Sequence, residues 1–299
     1  MKPFDDKLRE LLQRIKSGLG DSIPYAARIS DGRLRELIST LGGGVQRKID
    51  MDYDAGVAFS DMGRNRLDNS TLQSPWGQIR ALDLAVDDEL TKTLGRGVNH
   101  TFVVRDNSNN DLYIYKPASG ENFDGVDWIP HVPGELAKRE AAAFRIDQLY
   151  GFGRVPPTII ANGPHGPGSL QSYIYFGRAK KWSQYETVQQ HQAAVLHHTI
   201  GHIDGGPENY GPDLDGNLIS YDHGLAFPEA PHPPVHHFDS DFIISHLGGQ
   251  LDETVLSAVN AVESDQIHVA LDGLLSESAI EGAVIRHETV RSVGMIPRN

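Results

Sequence analysis

Apolar residues recur at helical spacing near the start of the chain. Phe4, Leu8, Leu11, Leu12 and Ile15 share one face of a segment over 4–16, and Leu34, Leu37, Ile38 and Leu41 share a face of a second. Ser30 or Asp31 caps the second, and Gly42, Gly43 and Gly44 end it. From there to about residue 85 short apolar pieces alternate with turn formers, so residues 1–85 read as a partly helical N-terminal extension. The pattern then changes to period two. LGRGVNHTFVVRDNSNNDLYIYKP predicts a glycine-containing turn, a strand over 101–105, an Asn/Asp-rich turn and a strand over 112–116, with Leu112, Ile114 and Lys116 on one face and Tyr113 and Tyr115 on the other. A loop, SGENFDGVDWIPHVPGE, reads as a substrate or lid element. A helix over 135–149 follows, burying Leu136, Ala143, Ile146 and Leu149 and stopped by Gly151.

Further strands are expected in VPPTIIAN and SLQSYIYF, joined by GPHGPG. A helix over 184–198 places Val188, Val195 and Leu196 in a core. The last third reads as helices over 252–262 and 264–274, then one capped by Ser276 with Ile280, Ala283, Val284 and Val290 along one stripe. Strands thus precede helices, the pattern of an α+β, bilobal molecule with a β-rich N-lobe over 86–177 and a helical C-lobe over 178–299.

Composition narrows the function. Hydrophobic residues at 39% and charged ones at 22% suit a folded chain with a sizeable core. The formal net charge of -13 disfavours nucleic acid as a partner and, more mildly, an anionic membrane surface, since both are held by excess Lys and Arg. No apolar run approaches the length of a transmembrane segment, and the first residues form a charged amphipathic helix, so a cytoplasmic location is the expectation. Cysteine is absent, which excludes disulfides and thiolate metal sites.

The candidate chemistry lies in HHTIGHIDGGPENYGPDLDGNLISYDHGLAF, residues 197–227. Asp213, Asp215 and Gly216 belong to a hairpin turn. Taken singly, Asp204 in its Gly-Pro loop also reads as a turn residue, whereas Asp222, between an apolar strand and a His-Gly turn, lacks an obvious structural use. Asn209 follows Asp204 by five residues, the interval between base and metal-binding Asn in the protein-kinase catalytic loop. Asp222 ends the apolar strand LISY as a hard oxygen ligand of the kind Mg²⁺ takes. Phosphoryl transfer also needs a cation on the phosphates and a carboxylate to orient it, and Lys116 and Glu140 stand upstream in the right order. Taken singly, such a lysine usually points to solvent and such a glutamate lines a solvated helix face.

GHIDGGPENYG followed by SYDHGLAFP resembles the catalytic and metal loops of the phosphatidylinositol 3- and 4-kinase-like superfamily, which includes type II phosphatidylinositol 4-kinases and HipA-type toxin kinases. LGRGVNHTFVV is similar to its nucleotide loop, LYIYKP to its lysine strand and KREAAAFRIDQLYG to its glutamate helix, so that the resemblance spans about residues 90–290. It implies a bilobal protein-kinase-like fold, ATP and Mg²⁺ as cofactors, and an unidentified hydroxyl acceptor, with a protein or small molecule favoured over a membrane lipid. By the same resemblance Asp204 is the catalytic base, Asn209 and Asp222 hold the metal, Lys116 contacts the α- and β-phosphates and Glu140 pairs with it. The backbone at Gly95, Gly97 and Asn99 covers the phosphates, the strand at Tyr173 to Tyr175 is the hinge beside adenine, and Ile114 lies under the base.

Two positions depart from that pattern. Gly205 stands where the family usually has Arg, and His202 where Asn is common. Loss of the Arg charge leaves room for a nucleotide-binding pseudokinase or an AMP-transferring regulator. The fourteen histidines admit a further alternative, a Zn²⁺ or Mn²⁺ hydrolase built on His198, His202 and Asp204 with His223, His236 or His237. Gly201 and the absence of a Glu between the two leading histidines count against it.

Overall fold

The computed structural model describes residues 80–81, 83–94, 97–229 and 239–298. The expected helices over 4–16 and 34–41, together with Gly95, lie outside that range. The period-two segments form one six-stranded sheet from β1 (Arg80–Ala81), β2 (Leu84–Val86), β3 (Phe102–Asp106), β4 (Leu112–Pro117), β5 (Thr158–Gly163) and β6 (Gly166–Ser172), in the order β1-β5-β6-β4-β3-β2. Its pairings are antiparallel except for β1 beside β5. The sheet therefore begins at Arg80, a few residues before the expected start of the N-lobe. A short helix, α1 (Asp88–Thr91), capped by Asp87, was not foreseen.

Alternation puts Tyr115 into a small sheet core with Val104, Ala161 and Leu170, and turns its neighbour Lys116 to the opposite face. On that face lies α2 (Glu135–Tyr150). A larger core runs from α2 into the helical half, joining Ile146 to Leu196, Ile200, Phe242, Ile267 and Val290. That half contains α3 (Thr187–Ile200), β7 (Asp204–Gly205), β8 (Tyr210–Pro212), β9 (Leu218–Ser220), β10 (Asp239–Ser240), α4 (Asp241–His246), α5 (Glu253–Asn260), α6 (Ser264–Leu271) and α7 (Glu277–Val293). The result is the expected α+β, bilobal arrangement, a mostly antiparallel sheet followed by a helical half, with α2 packed against both.

Three details differ from the sequence reading. The β5–β6 turn is only Pro164–His165, because Gly163 pairs with Gly166 and the later glycines lie inside β6. Gly168 is required there, since a Cβ would fall 2.2 Å from the Lys116 carbonyl oxygen. Tyr173 and Tyr175 lie beyond β6, not in it. Their would-be partner β4 starts at Leu112, whose carbonyl takes the Tyr173 N–H at 3.1 Å, and nothing upstream continues the ladder. The missed helix α4 is capped by the Ser240 hydroxyl, which accepts the Ile243 N–H.

Asp147, near the end of α2, accepts the N–H groups of Arg154 and Val155 and so shapes the turn into β5. Burial pushes its carboxyl up from 3.8 to about 6 against those donors. Between these values the folded chain binds more protons than the unfolded one, so this group's contribution to stability falls as pH rises from about 4 to about 6, by about 3 kcal/mol. Urea unfolding of wild type and Asp147→Asn at the two ends of that window should show the extra decline in wild type alone.

Candidate functional site

The Lys116 ammonium is hydrogen-bonded to Glu140 Oε1 and, at 2.7 Å, to Asp222 Oδ1. Strand parity delivers the lysine and the second turn of α2 delivers the glutamate, which is 2% exposed and hence not a solvated face. The helix is positioned from its N-terminus by Glu121, whose carboxylate accepts the Gly134 and Ala137 N–H groups at 2.6 and 2.8 Å. Glu140 Oε2 accepts the His223 backbone N–H at 3.0 Å, so one carboxylate ties the sheet's lysine to the loop after β9.

The DLDGN turn sets the other half of the site. Asp213 Oδ1 accepts the N–H groups of Asp215 and Asn217, and Gly216 takes φ 86°, closing the β8–β9 hairpin. Its register pairs Tyr210 with Ser220 and so brings Asn209 beside Tyr221, whose N–H donates to the Asn209 carbonyl at 3.0 Å. Asp222 is the next residue. It sits at φ 62°, a left-handed conformation uncommon outside glycine and better tolerated by Asp than by most residues. The Asn209 Nδ2 donates to the Asp204 carbonyl at 2.7 Å. That bond uses the amide nitrogen and leaves Oδ1 for another partner.

The charges are unbalanced, with one ammonium for two carboxylates. Lys116 holds the Asp222 carboxyl below the usual range. Burial pushes Glu140 upward, partly countered by Lys116. Burial opposes charge on Lys116, but Asp222 and Glu140 outweigh it and raise its pKa. Half of the Asp222 side-chain surface, 49%, remains exposed, so the surplus negative charge faces solvent where a cation can reach it.

Asp204 opens β7 and is half-buried, and β7 runs parallel to β10. Gly205 is explained by packing. A Cβ there would lie 2.8 Å from His197 Nδ1 and 2.9 Å from Ser240 Cβ, so the backbone fits against the His197–Ser240 hydrogen bond only without a side chain. Gly205→Ala should cost about 1–3 kcal/mol by overpacking and Gly205→Arg at least as much, measurable by chemical unfolding.

His202 meets His197, not His198. Gly201, at φ 62°, ends α3 in a Schellman motif, in which the His202 N–H returns to the His197 carbonyl at 2.8 Å and the Gly201 N–H to His198. The chain therefore doubles back, and the rings of His197 and His202 lie 4.8 Å apart, with His223 4.9 Å from His202. All three are fully buried. Burial depresses their basicity, His202 to about 4, so the rings are neutral at physiological pH. The fold does not assemble the alternative set of His198, His202 and Asp204; among the described residues His197 takes the place of His198 and no carboxylate joins the group, while His236 and His237 lie outside the described residues.

Of the expected nucleotide residues, Asn99 holds the loop 119–125 through its Oδ1, which accepts the Asn122 N–H at 2.8 Å. It lines a narrow cleft with Lys116, Glu140 and Asp222. A Cβ at Gly97 would make only ordinary contact with the Asn99 backbone, 3.6 Å from its carbonyl oxygen. Ile114 is on β4 opposite Gln171 and Val103. Tyr173 and Tyr175 pack edge to face in the linker between the halves, and Phe176 packs on Tyr221 beside Asp222. Between the loop 119–125 and the residues Val98 and His100 lies a cavity of about 520 Å³ whose lining includes Glu121, Asp124 and His131. Sequence reading did not find it, nor His197, Ser220 and Ser240.

No family model matches the chain. Protein Rv2133c of Mycobacterium tuberculosis (strain ATCC 25618 / H37Rv) is 41% identical over 63 residues, a stretch covering 20% of either chain. Among solved structures, the Helicobacter pylori proinflammatory kinase CtkA overlaps with a TM-score of 0.41 at 11% identity, covering 68% of this chain and 90% of that one. The Golgi casein kinase with Mn/ADP bound gives 0.44 at 13% identity over 93% of each chain, and hydra Fam20 with sugar 0.45 at 13% identity over 74% and 93%. Among the described residues no helix is long and apolar enough to cross a membrane.

Proposed function

We propose that the chain is an ATP-dependent phosphotransferase of the phosphatidylinositol 3- and 4-kinase-like kind, moving the γ-phosphoryl group to a hydroxyl with Mg²⁺. The observation that carries this reading is Lys116 held between Glu140 and Asp222, with the hairpin placing Asn209 beside Asp222. Asp222 and the free Oδ1 of Asn209 form an all-oxygen donor set, which suits Mg²⁺. Bound there, the ion would neutralise the charge spread over the β- and γ-phosphate oxygens. Lys116 would leave Asp222 for the phosphates while Glu140 keeps its ammonium oriented. Asp204 would orient the acceptor hydroxyl and take its proton. Its backbone is held by Asn209, which couples base to metal site.

The tether from Asn99 to the loop 119–125 fits a phosphate-covering role for the segment around it. The aromatic linker at Tyr173 and Tyr175 is the place for the adenine. The cavity of about 520 Å³ under the expected lid loop suits a small polar acceptor or a side chain of a protein, and shares His100 and Glu121 with the lysine cleft. Gly205 does not weigh against turnover, because it answers a packing demand.

Incubation with γ-labelled ATP and Mg²⁺ tests the reading. Wild type should consume ATP and place label on an acceptor or on itself, and Asp204→Ala should not. Label arriving only from α-labelled ATP would replace it with AMP transfer. Thermal stabilisation by nucleotide without turnover in wild type would leave a binding module.

A further inference from the structure

Behind the catalytic loop three imidazoles converge from three separate segments: His197 from the end of α3, His202 from the loop ahead of Asp204, and His223 from the residue after Asp222. Each offers a nitrogen within 4.8 Å of the other two, and none has exposed surface. His202 has no hydrogen-bond partner at either ring nitrogen, and His223 has none at Nδ1. Buried polar atoms are nearly always satisfied, so a ring with two orphaned nitrogens in a dry core points to a ligand.

We propose that His197, His202 and His223 bind a divalent transition-metal ion, zinc by the chemistry of the donors, which clamps the catalytic loop to the metal-binding loop. Neutral imidazole nitrogens suit Zn²⁺ and its neighbours, whereas Mg²⁺ takes oxygen, so this site and the Asp222–Asn209 pair would sort different ions. A tetrahedral site with Zn–N bonds of about 2.0–2.1 Å needs nitrogens about 3.4 Å apart, which the rings reach by each moving inward by less than about 1 Å. His197 already has an outer support of the kind ligating histidines usually carry, its Nδ1 lying 2.9 Å from the Ser240 hydroxyl, while its Nε2 meets the Ser220 hydroxyl, which an ion would displace or share. The Ser220 hydroxyl, 2.8 Å from His197 Nε2 and 3.0 Å from His223 Nε2, lies between two of the three rings. An ion there would fix the backbone on both sides of Asp204 and Asp222. The inference is independent of the phosphotransfer reading, because it rests on buried imidazoles and not on the acidic residues.

The full chain, purified without chelator, should carry about one equivalent of zinc by elemental analysis. Stripped and titrated with Co²⁺, it should develop the visible absorption bands of tetrahedral nitrogen ligation, reversed by Zn²⁺. Zinc should also raise the Tm of the stripped protein. Asp222→Asn should keep the cobalt spectrum, whereas His202→Gln and His223→Gln should each lose it, with circular dichroism confirming that they fold. Wild type that takes up neither ion would overturn the proposal. So would a cobalt spectrum retained in His202→Gln and His223→Gln but lost on replacing His232, His236 and His237, which would assign the metal to the histidine-rich stretch before β10.

Discussion

Asp222→Asn should lower phosphoryl transfer by about 10³-fold while barely touching stability, because in the proposed reaction the residue would supply charge at the phosphates and it contributes little to the fold. Asn keeps the shape and an oxygen, and it tolerates the left-handed φ of 62° at this position, so the substitution isolates the charge. Its pair with Lys116 spans a half-exposed carboxylate, which limits the stability lost to about 1 kcal/mol or less. Lys116 retains Glu140 in the variant. Rates with saturating Mg²⁺ and ATP, read beside urea unfolding, separate the two effects. Wild-type rates in Asp222→Asn would remove the residue from the chemistry.

Lys116→Ala should show the opposite balance, losing activity and stability together. Glu140 is 2% exposed, and without the ammonium its carboxylate keeps only the His223 N–H among the contacts described for it. Stranding one member of a buried ion pair costs about 3–5 kcal/mol, less whatever is recovered by protonating the acid, whose pKa burial already raises. Replacing both charges should be milder than replacing one. Lys116→Ala combined with Glu140→Gln is therefore expected to unfold at higher urea than Lys116→Ala alone, yet to remain inactive. If the double variant were no more stable than the single one, the Lys116–Glu140 pair would not be the source of the loss.

Local signals carried most of this site into the sequence. Period-two alternation put Lys116 and Tyr115 on opposite faces, and the structure has Tyr115 in the sheet core and Lys116 against α2. The Asp213–Asn217 turn fixes the hairpin register, and the register alone brings Asn209 next to Tyr221. The Ser276 cap and the stripe of Ile280, Ala283, Val284 and Val290 mark α7, where all four are buried.

What sequence did not disclose depends on partners remote along the chain. Gly205 read as a lost arginine charge until Ser240 and His197 were seen pressed against it. Sequence spacing offers His198 and His202 as a pair and Gly201 counts against it, but only the fold shows that the left-handed Gly201 turns the chain back so that His197 meets His202. Tyr173 and Tyr175 carry the composition of a strand, yet β4 ends its pairing before reaching them. In each case local pattern is silent about what the fold places across from the residue.

The central claim is that Lys116, Glu140, Asn209 and Asp222 form one site for a metal–nucleotide complex. Calorimetric titration of the chain with ATP, with and without Mg²⁺, tests it most directly. Wild type should bind ATP tightly only when the ion is present, and Asp222→Asn should lose that dependence along with most of the affinity. Wild type that shows no ATP binding in the presence of Mg²⁺, or binds equally well without it and in Asp222→Asn, would contradict the account.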